Sequence, residues 1–303
     1  MEETIYINNP NKRKFFIYIY IFFGICIFLI LGYYVFSAPL NNKDVTIHIT
    51  SLDTLKSISK ELEVKNIVRD DFTLYFISRI FSLNSPLQKG DYKFEKGSSV
   101  FRVALQLAQG DYNTESIKIT FREGLTNEEI ANILAQKLSG FRRDLFIQEA
   151  LSKEGYLFPD TYLIFPLATS SEIIKEMNDN FKNRIKEIKE DIENNKRNFN
   201  DIIIMASIIE LESNGRNDRE MISGILWKRF DIGMPLQVDV DKNTYKEKGL
   251  PDKPLCNPGL SSIKASLNPK YSSYIYYLHD KDGEVHYAKS YDEHKINISK
   301  YLK

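Results

Sequence analysis

Cysteine is scarce in this sequence, with two residues among 303. Cys26 lies in a long apolar run and Cys256 lies far away in a loop rich in Pro and Gly, so the pair cannot build a disulfide framework. The four histidines lack the H-E-x-x-H spacing, and neither cysteine has a neighbour at metal-ligand spacing. Ser207 lacks the G-x-S-x-G turn of a serine nucleophile. We therefore expect two unpaired thiols, no metal and no cofactor.

An excess of charge is absent as well, because Lys+Arg and Asp+Glu both number 41. Binding to phosphate backbones needs surplus positive charge, so nucleic acid is excluded as the main partner, although a local basic patch stays open. Internal repeats and low-complexity segments are also missing from the sequence. The content of 43% hydrophobic and 27% charged residues is typical of a folded protein, and the length gives room for two modest domains.

A long apolar run is present near the N-terminus. Residues 15–36 read FFIYIYIFFGICIFLILGYYVF, 22 residues without a charge, which is long enough to span a bilayer as a helix. Basic residues 12–14 precede the run, and the next positive charge is Lys43, so the positive-inside rule predicts a cytoplasmic tail over residues 1–14. A cleaved signal peptide is the alternative. We favour the uncleaved anchor, because the run is long and Ser37-Ala38 makes a poor cleavage site.

The segment after the anchor predicts a small unit over residues 44–113. Alternation in VTIHI (45–49) indicates a strand, and GDYKF (90–94) indicates a second strand after a turn. Helical spacing of apolar residues predicts three helices, over residues 51–62, 72–81 and 98–107, and the last should end at Gly110. The unit has no acid cluster, so its predicted role is binding or spacing.

The remaining residues, 114–303, predict a larger α+β unit. A strand is predicted over 116–121, and Thr126 with Glu129 forms a capping box at the start of a helix. Apolar positions three or four apart from Ser171 to Ile192 predict one long amphipathic helix. Residues 202–209 (IIIMASII) are apolar on every side, which predicts a buried helix with Asp201 as its cap. A hairpin around residues 280–283 and a helix over 291–302 close the chain.

Glu210 follows directly after the fully apolar stretch. A desolvated carboxyl group has a raised pKa and can donate a proton near neutral pH. The residues alone leave two interpretations open, a catalytic acid or the point where a buried helix emerges into water. Two acids facing each other across a cleft would permit glycoside hydrolysis, but spacing cannot show such a pair. The other candidates for it are Glu154, Asp160, Glu212, Asp239 and Asp241.

Several motifs occur in one order and spacing along the chain. They are EGLT at 123–126, EGYLFPDTY at 154–162, ASIIELE at 206–212, IGMPLQVD at 232–239, KGLPDKPLCNPGL at 248–260, SLNP at 266–269 and HYAKSYDEH at 286–294. With the N-terminal anchor, they closely resemble the MltG/YceG-like endolytic murein transglycosylase family. The resemblance covers essentially the whole chain, and EGYLFPDTY and NPGL are its most specific parts.

The resemblance implies an α+β protein with an N-terminal transmembrane helix (15–36), a small LysM-like module (44–113) and a catalytic domain (114–303). It implies a lytic transglycosylase that cleaves the MurNAc–GlcNAc bond of nascent peptidoglycan strands and leaves 1,6-anhydroMurNAc ends. The family's glutamate in its A-S-[IV]-[IV]-E stretch matches Glu210, which would act as general acid and then as base. A single-pass protein of the bacterial inner membrane, with its catalytic domain outside and cell-wall synthases as partners, is also implied.

Four further residues lie in the matching motifs and are implied to line the substrate groove: Glu154, Gln237, Asp239 and Asn257. The chain departs from the family in two places. The family has a longer insertion where this chain has residues 241–245, and it has N-R-L where this chain has Lys228-Arg229-Phe230. These departures concern substrate contacts and leave the Glu210 motif intact. Two alternatives stay open, an inactive peptidoglycan-binding scaffold and a muramidase that uses water.

Overall fold

The N-terminal apolar run forms a single helix, α1 (Pro10–Phe36), in the computed structural model. Its segment Lys14–Tyr34 is, among the residues that the structure describes, the one helix long and apolar enough to cross a membrane. The described residues are 10–36, 43–81, 86–213 and 218–302. Residues 1–9 of the predicted cytoplasmic tail and the alternative cleavage site at Ser37-Ala38 lie outside them.

The chain divides into two compact units, Met1–Glu115 and Ser116–Lys303. In the first unit, β1 (Val45–Ile49) pairs antiparallel with β2 (Gly90–Phe94), with Ile47 opposite Tyr92. Three helices cover this pair: α2 (Leu55–Val64), α3 (Asp71–Phe81) and α4 (Val100–Gln109). The apolar faces of these elements form one core.

The ends of the helices in the first unit follow from capping chemistry. Helix α2 begins at Leu55, because Thr54 and Ser57 form a capping box. The predicted start at residue 51 is wrong, since the Asp53 carboxylate accepts bonds from the backbone and hydroxyl of Thr50 and holds a turn there. Helix α4 ends at Gly110, in the left-handed conformation with φ of 67°, as predicted.

The second unit begins with β3 (Ile117–Thr120), which pairs antiparallel with β4 (Thr161–Ile164). The predicted capping box of Thr126 and Glu129 is confirmed at the start of α5 (Asn127–Lys137), and α6 (Arg143–Ala150) packs against that helix. Together with α7 (Ser170–Lys186), these elements enclose a core of 15 buried residues.

The predicted long helix through Ile192 is wrong in its last part. Helix α7 ends at Lys186, and a separate short helix, α8 (Lys189–Asn194), follows. The break places Ile188 in the core, where it is 4% exposed. The last turn of α7 closes with a hydrogen bond between residues three apart, which the Glu187 N–H donates to the Arg184 carbonyl.

Helix α9 (Phe199–Ser213) is the centre of the second unit, and residues 202–210 are all buried. Asp201 lies within its first turn, so its predicted role as the cap is wrong; the Asn198 side chain instead accepts from Asn200 N–H at 2.8 Å. Helices α10 (Arg219–Asp231) and α11 (Leu260–Leu267) pack against α9. The indole of Trp227 donates to the Ser266 carbonyl at 2.9 Å and fixes α10 on α11.

The predicted hairpin is confirmed as β5 (Tyr276–His279) and β6 (Val285–Ala288), joined across residues 280–284. Helix α12 (Tyr291–Tyr301) packs on both strands and closes the chain. The hairpin also contacts the α9–α10 region through Tyr277, whose hydroxyl donates to Glu212 at 3.0 Å. The described chain is therefore α+β, with three two-stranded sheets among helices.

Candidate active site

Glu210 lies in the last turn of α9 and is 8% exposed, so it is not a solvated helix end. Its Oε2 accepts a hydrogen bond from the Gly259 N–H at 2.9 Å. Its Oε1 lies 3.5 Å from the Arg219 guanidinium, which also donates to the Ser262 hydroxyl. The side chain is thus held by a backbone amide on one side and a cation on the other.

The loop before α11 is fastened along the face of α9 that ends in Glu210. Leu255 N–H donates to the Ser207 hydroxyl at 2.9 Å, and the Cys256 thiol donates to the Ser207 carbonyl at 3.4 Å. The third bond is the one from Gly259 to Glu210. Burial raises the pKa of Cys256, so this thiol stays protonated and packs as a small apolar group.

A second carboxylate, Glu123, lies beside the first. A Cβ added to Gly259 would meet Glu123 Oε1 at 1.8 Å, so the Glu123 carboxyl group rests directly on that glycine. Through the bond from Gly259 N–H to Glu210, the two carboxyl groups lie within about 8 Å of each other. Burial raises the pKa of Glu123, the negative charge of Glu210 raises it further, and Arg219 lowers it.

Asn257 is 1% exposed and joins three loops around this site. Its side-chain carbonyl accepts from Leu157 N–H at 2.9 Å, and its amide donates to the Leu125 carbonyl and to the Asn127 side chain. Its backbone carbonyl accepts from Gly124 N–H at 3.0 Å, next to Glu123. The predicted groove residue therefore uses its polar atoms to hold the walls of the site together.

Glu154 belongs to the same network. Its carboxylate accepts from the Asn127 backbone N–H at 3.1 Å and lies 3.5 Å from the Asn257 amide. Burial raises the pKa of Glu154 to about 7, and the bond from Asn127 lowers it in part. The carboxyl group therefore titrates near neutral pH, at the junction of α5 with the Asn257 loop.

Gln237 and Asp239 lie in a different part of the second unit. Both line a cavity of about 580 Å³ between the 236–245 loop, the β5–β6 hairpin and α12. Gln237 has the left-handed φ of 53°, and Asp239 accepts from the Tyr245 hydroxyl at 2.6 Å. Glu212 also lines this cavity; burial raises its pKa, and the bond from the Tyr277 hydroxyl opposes that effect. Glu210 and Glu212 both lie in the last turn of α9, so this helix supplies one carboxyl group to the site around Gly259 and one to the cavity.

The remaining acids do not join either region. Asp160 pairs with Arg184 at 3.2 Å, and Asp241 caps the short 3₁₀ turn Lys242–Tyr245. Within the described ranges, no group of three or more His, Cys, Asp or Glu residues could hold a metal ion.

Sequence reasoning missed Glu123 and Arg219 as site residues. Glu123 carried a usable signal, since it stands in the EGLT motif between a strand and a capped helix. Arg219 gave no such signal, because its neighbours in the sequence are also charged and the segment is typical of a solvated surface. Glu212 was a candidate, but its partner Tyr277 is 65 residues away and no spacing rule connects them.

The comparisons with known proteins agree with this fold. The chain is 27% identical to an endolytic murein transglycosylase of Bacillus subtilis, over 85% of each chain. It is 24% identical to an endolytic murein transglycosylase of Streptococcus pneumoniae, over 86% of this chain and 59% of the longer relative. A crystal structure of a YceG-like protein from Listeria monocytogenes matches with a TM-score of 0.55 at 24% identity, covering 84% of this chain and 99% of that one. A sequence model of the YceG-like family matches residues 47–300, and the chain belongs to that family.

Proposed function

We propose that this protein is a lytic transglycosylase that cleaves the MurNAc–GlcNAc bond inside peptidoglycan strands. The name shared by its relatives in Bacillus and Streptococcus supports this activity. The observation that carries the proposal is the buried carboxyl group of Glu210, held between the Gly259 amide and Arg219. A carboxyl group fixed in this way suits general acid–base catalysis, which needs a positioned proton donor more than it needs a cofactor.

In the first step, the protonated Glu210 carboxyl group donates its proton to the oxygen that links MurNAc to GlcNAc. The bond from the MurNAc C1 to this oxygen breaks, and positive charge develops on the sugar ring in an oxocarbenium-like state. Glu210 is left as a carboxylate. Arg219 and the Gly259 N–H then stabilise its negative charge, at the moment when the charge forms.

In the second step, the MurNAc C6 hydroxyl attacks C1 and gives its proton to the Glu210 carboxylate. The new C6–O–C1 bond closes the 1,6-anhydro ring, and Glu210 recovers the proton that it lost. No water is consumed, so a single carboxyl group serves as acid and then as base.

The other predicted site residues fall into two roles. Glu154 and Asn257 hold the loops that present Glu210, through their shared bonds to Asn127. Gln237 and Asp239 line the 580 Å³ cavity, where the glycan strand or its attached peptide would extend beyond the cleavage point. Such a cavity is large enough for a sugar unit with its substituent.

We also propose the cellular arrangement. Residues 15–36 would anchor the protein in the bacterial inner membrane, with residues 1–14 in the cytoplasm and the remainder outside. Residues 44–113 would form a LysM-like module that binds glycan, and residues 114–303 would form the catalytic domain. An enzyme that is anchored beside the site of strand synthesis would act on nascent strands in the company of cell-wall synthases.

A muramidase that uses water is the second candidate, and Glu123 is the observation that favours it. In inverting glycosidases a second carboxylate activates a water molecule opposite the general acid, and Glu123 places a second carboxyl group beside Glu210. The two activities differ in whether the attacking oxygen comes from water or from C6 of the sugar.

The proposal is tested by Glu210→Gln in the full-length chain. We expect glycan-strand cleavage to fall about 10²- to 10⁴-fold, since the amide cannot donate or accept the proton. Glu220→Gln is the matched control, because Glu220 is exposed on the neighbouring helix and should keep full activity. Full activity of Glu210→Gln, with the melting temperature of both variants unchanged, would remove Glu210 from the mechanism.

A further inference from the structure

Helix α3 is apolar on two faces. Its inner face, with Leu74 and Ser78 buried, packs against α4. Its outer face exposes large apolar side chains at helical spacing, with Phe72 72%, Phe76 57% and Ile80 50% exposed. The Phe72 and Phe76 rings stack with centroids 6.3 Å apart. A row of exposed aromatic side chains on a small unit is typical of a surface that contacts a membrane or another protein.

The start of α3 lies against the outer end of the anchor helix. The Tyr34 hydroxyl, near the end of α1, donates to Asp70 at 3.0 Å. The Arg69 guanidinium lies 5.4 Å from the centroid of the Tyr34 ring. Asp70 also caps α3, because its carboxylate accepts from Thr73 N–H at 2.8 Å. The same two residues therefore fix α3 to the tyrosine that ends the apolar span.

We propose that the outer face of α3 lies in the interface of the bilayer that α1 spans, with Phe72, Phe76 and Ile80 among the lipid headgroups. Aromatic residues at the end of a spanning helix prefer this interface, and a helix fixed to Tyr34 is held at the same depth. Arg79 is exposed on this face and can reach lipid phosphates while its stem follows the apolar surface. The inference rests on the proposed span of α1 and is independent of enzymatic activity.

The test places a tryptophan on this face in the full-length chain, reconstituted in lipid vesicles. Phe76→Trp should emit at shorter wavelength than a water-exposed indole, and lipids brominated on the upper acyl chain should quench it about twofold or more relative to the control. The native Trp227 is buried, and its signal is subtracted by using the parent chain. Leu163→Trp is the matched control, since Leu163 is an exposed leucine on β4, 62% accessible.

Three results would overturn the proposal. Emission of Phe76→Trp at the wavelength of Leu163→Trp, without quenching, would place the face in water. A blue-shifted emission that brominated lipids do not quench would mean that protein covers the face. Equal quenching of both variants would show unspecific contact with the vesicles. Phe72→Trp repeats the test at a second position of the same face and should give the same result as Phe76→Trp.

Discussion

At the scale of single residues, Asn257 joins three segments that are far apart in the sequence. Its side chain satisfies Leu157 N–H and the Leu125 carbonyl in a fully buried position. Asn257→Ala removes the partner of Leu157 N–H and of the Asn127 side-chain carbonyl, whereas the Leu125 carbonyl keeps its bond from the backbone N–H of residue 257. We expect the free energy of unfolding to fall by about 2–4 kcal/mol. Urea unfolding curves of the variant and the parent chain measure this difference in the free energy of unfolding. Asn268→Ala, which loses one exposed bond to Lys264, should change stability by less than about 0.5 kcal/mol.

Glu154 makes the stability of the protein depend on pH. Its pKa is raised from an ordinary value of 4.5 to about 7, so the folded protein binds its proton more tightly than the unfolded chain does. The contribution of Glu154 to stability is then largest below about pH 4.5 and falls as the pH rises towards 7. The full shift corresponds to about 3 kcal/mol, and because water reaches part of the group we expect about 1–2 kcal/mol.

Glu154→Gln tests this dependence. The amide stays neutral and can still accept from Asn127 N–H, so stability should change less between pH 4.5 and 8 than in the parent chain. Above pH 8 the variant should be the more stable of the two. Unfolding curves at several pH values measure the difference. A variant whose stability falls as steeply as that of the parent would assign the pH dependence to another group.

The burial of the helix that ends in Glu210 could be predicted from its own sequence, because a helix that is apolar on every side must be buried. The burial of Glu210 itself could not, since a charged residue at a helix end can also emerge into water. Its partners could not be predicted either. Arg219 and Glu123 reach Glu210 from separate elements, and nothing in the local pattern of either residue indicates the contact. Asn257 illustrates the same limit. The NPGL motif indicates that Asn257 is a site residue, but only the fold shows that its side-chain amide forms hydrogen bonds within the protein.

At the scale of elements, α10 is fixed by the close approach of a loop. Gly224 lies so near the chain at Lys270 that an added Cβ would meet the Lys270 carbonyl at 2.1 Å. Lys270 N–H donates to the Glu220 carbonyl at 2.8 Å, which holds the loop in place. Because backbone must move to accept the methyl group, Gly224→Ala should destabilise the protein by about 1–3 kcal/mol.

Thermal unfolding measures this cost, and Glu220→Ala on the same helix is the control. The Glu220 side chain is exposed, so its removal should change stability by less than about 0.5 kcal/mol. An alanine at position 224 that leaves the melting temperature unchanged would show that the loop adapts without strain.

The elements were predictable where local chemistry decides them. The capping box of Thr126 and the glycine after α4 set helix ends within a few residues, and both predictions are confirmed. The two failures have different causes. The break after Lys186 has a tertiary cause, the burial of Ile188, whereas the start of α9 depends on a choice between two local cap residues, Asn198 and Asp201. Periodicity alone continues through such positions, because it does not register where the chain must turn to reach the core.

At the scale of the whole molecule, the chain forms two compact units, and the first of them contains the apolar helix. The apolar run and the two-part organisation are visible in the sequence, because length and hydropathy determine both. The balance of 41 positive and 41 negative residues gives the chain no excess of positive charge with which to attract a polyanion such as nucleic acid. Neither composition nor periodicity shows that Glu210, Arg219 and Asn257 come together in the second unit.

The new chain ends that the enzyme creates test the central claim most directly. Purified glycan strands are digested with the full-length protein, and mass spectrometry identifies the terminal sugar. If Glu210 acts as acid and then as base for the C6 hydroxyl, the products end in 1,6-anhydroMurNAc and incorporate no label from heavy-oxygen water. Products that end in reducing MurNAc carrying the heavy oxygen would contradict this account and support the muramidase.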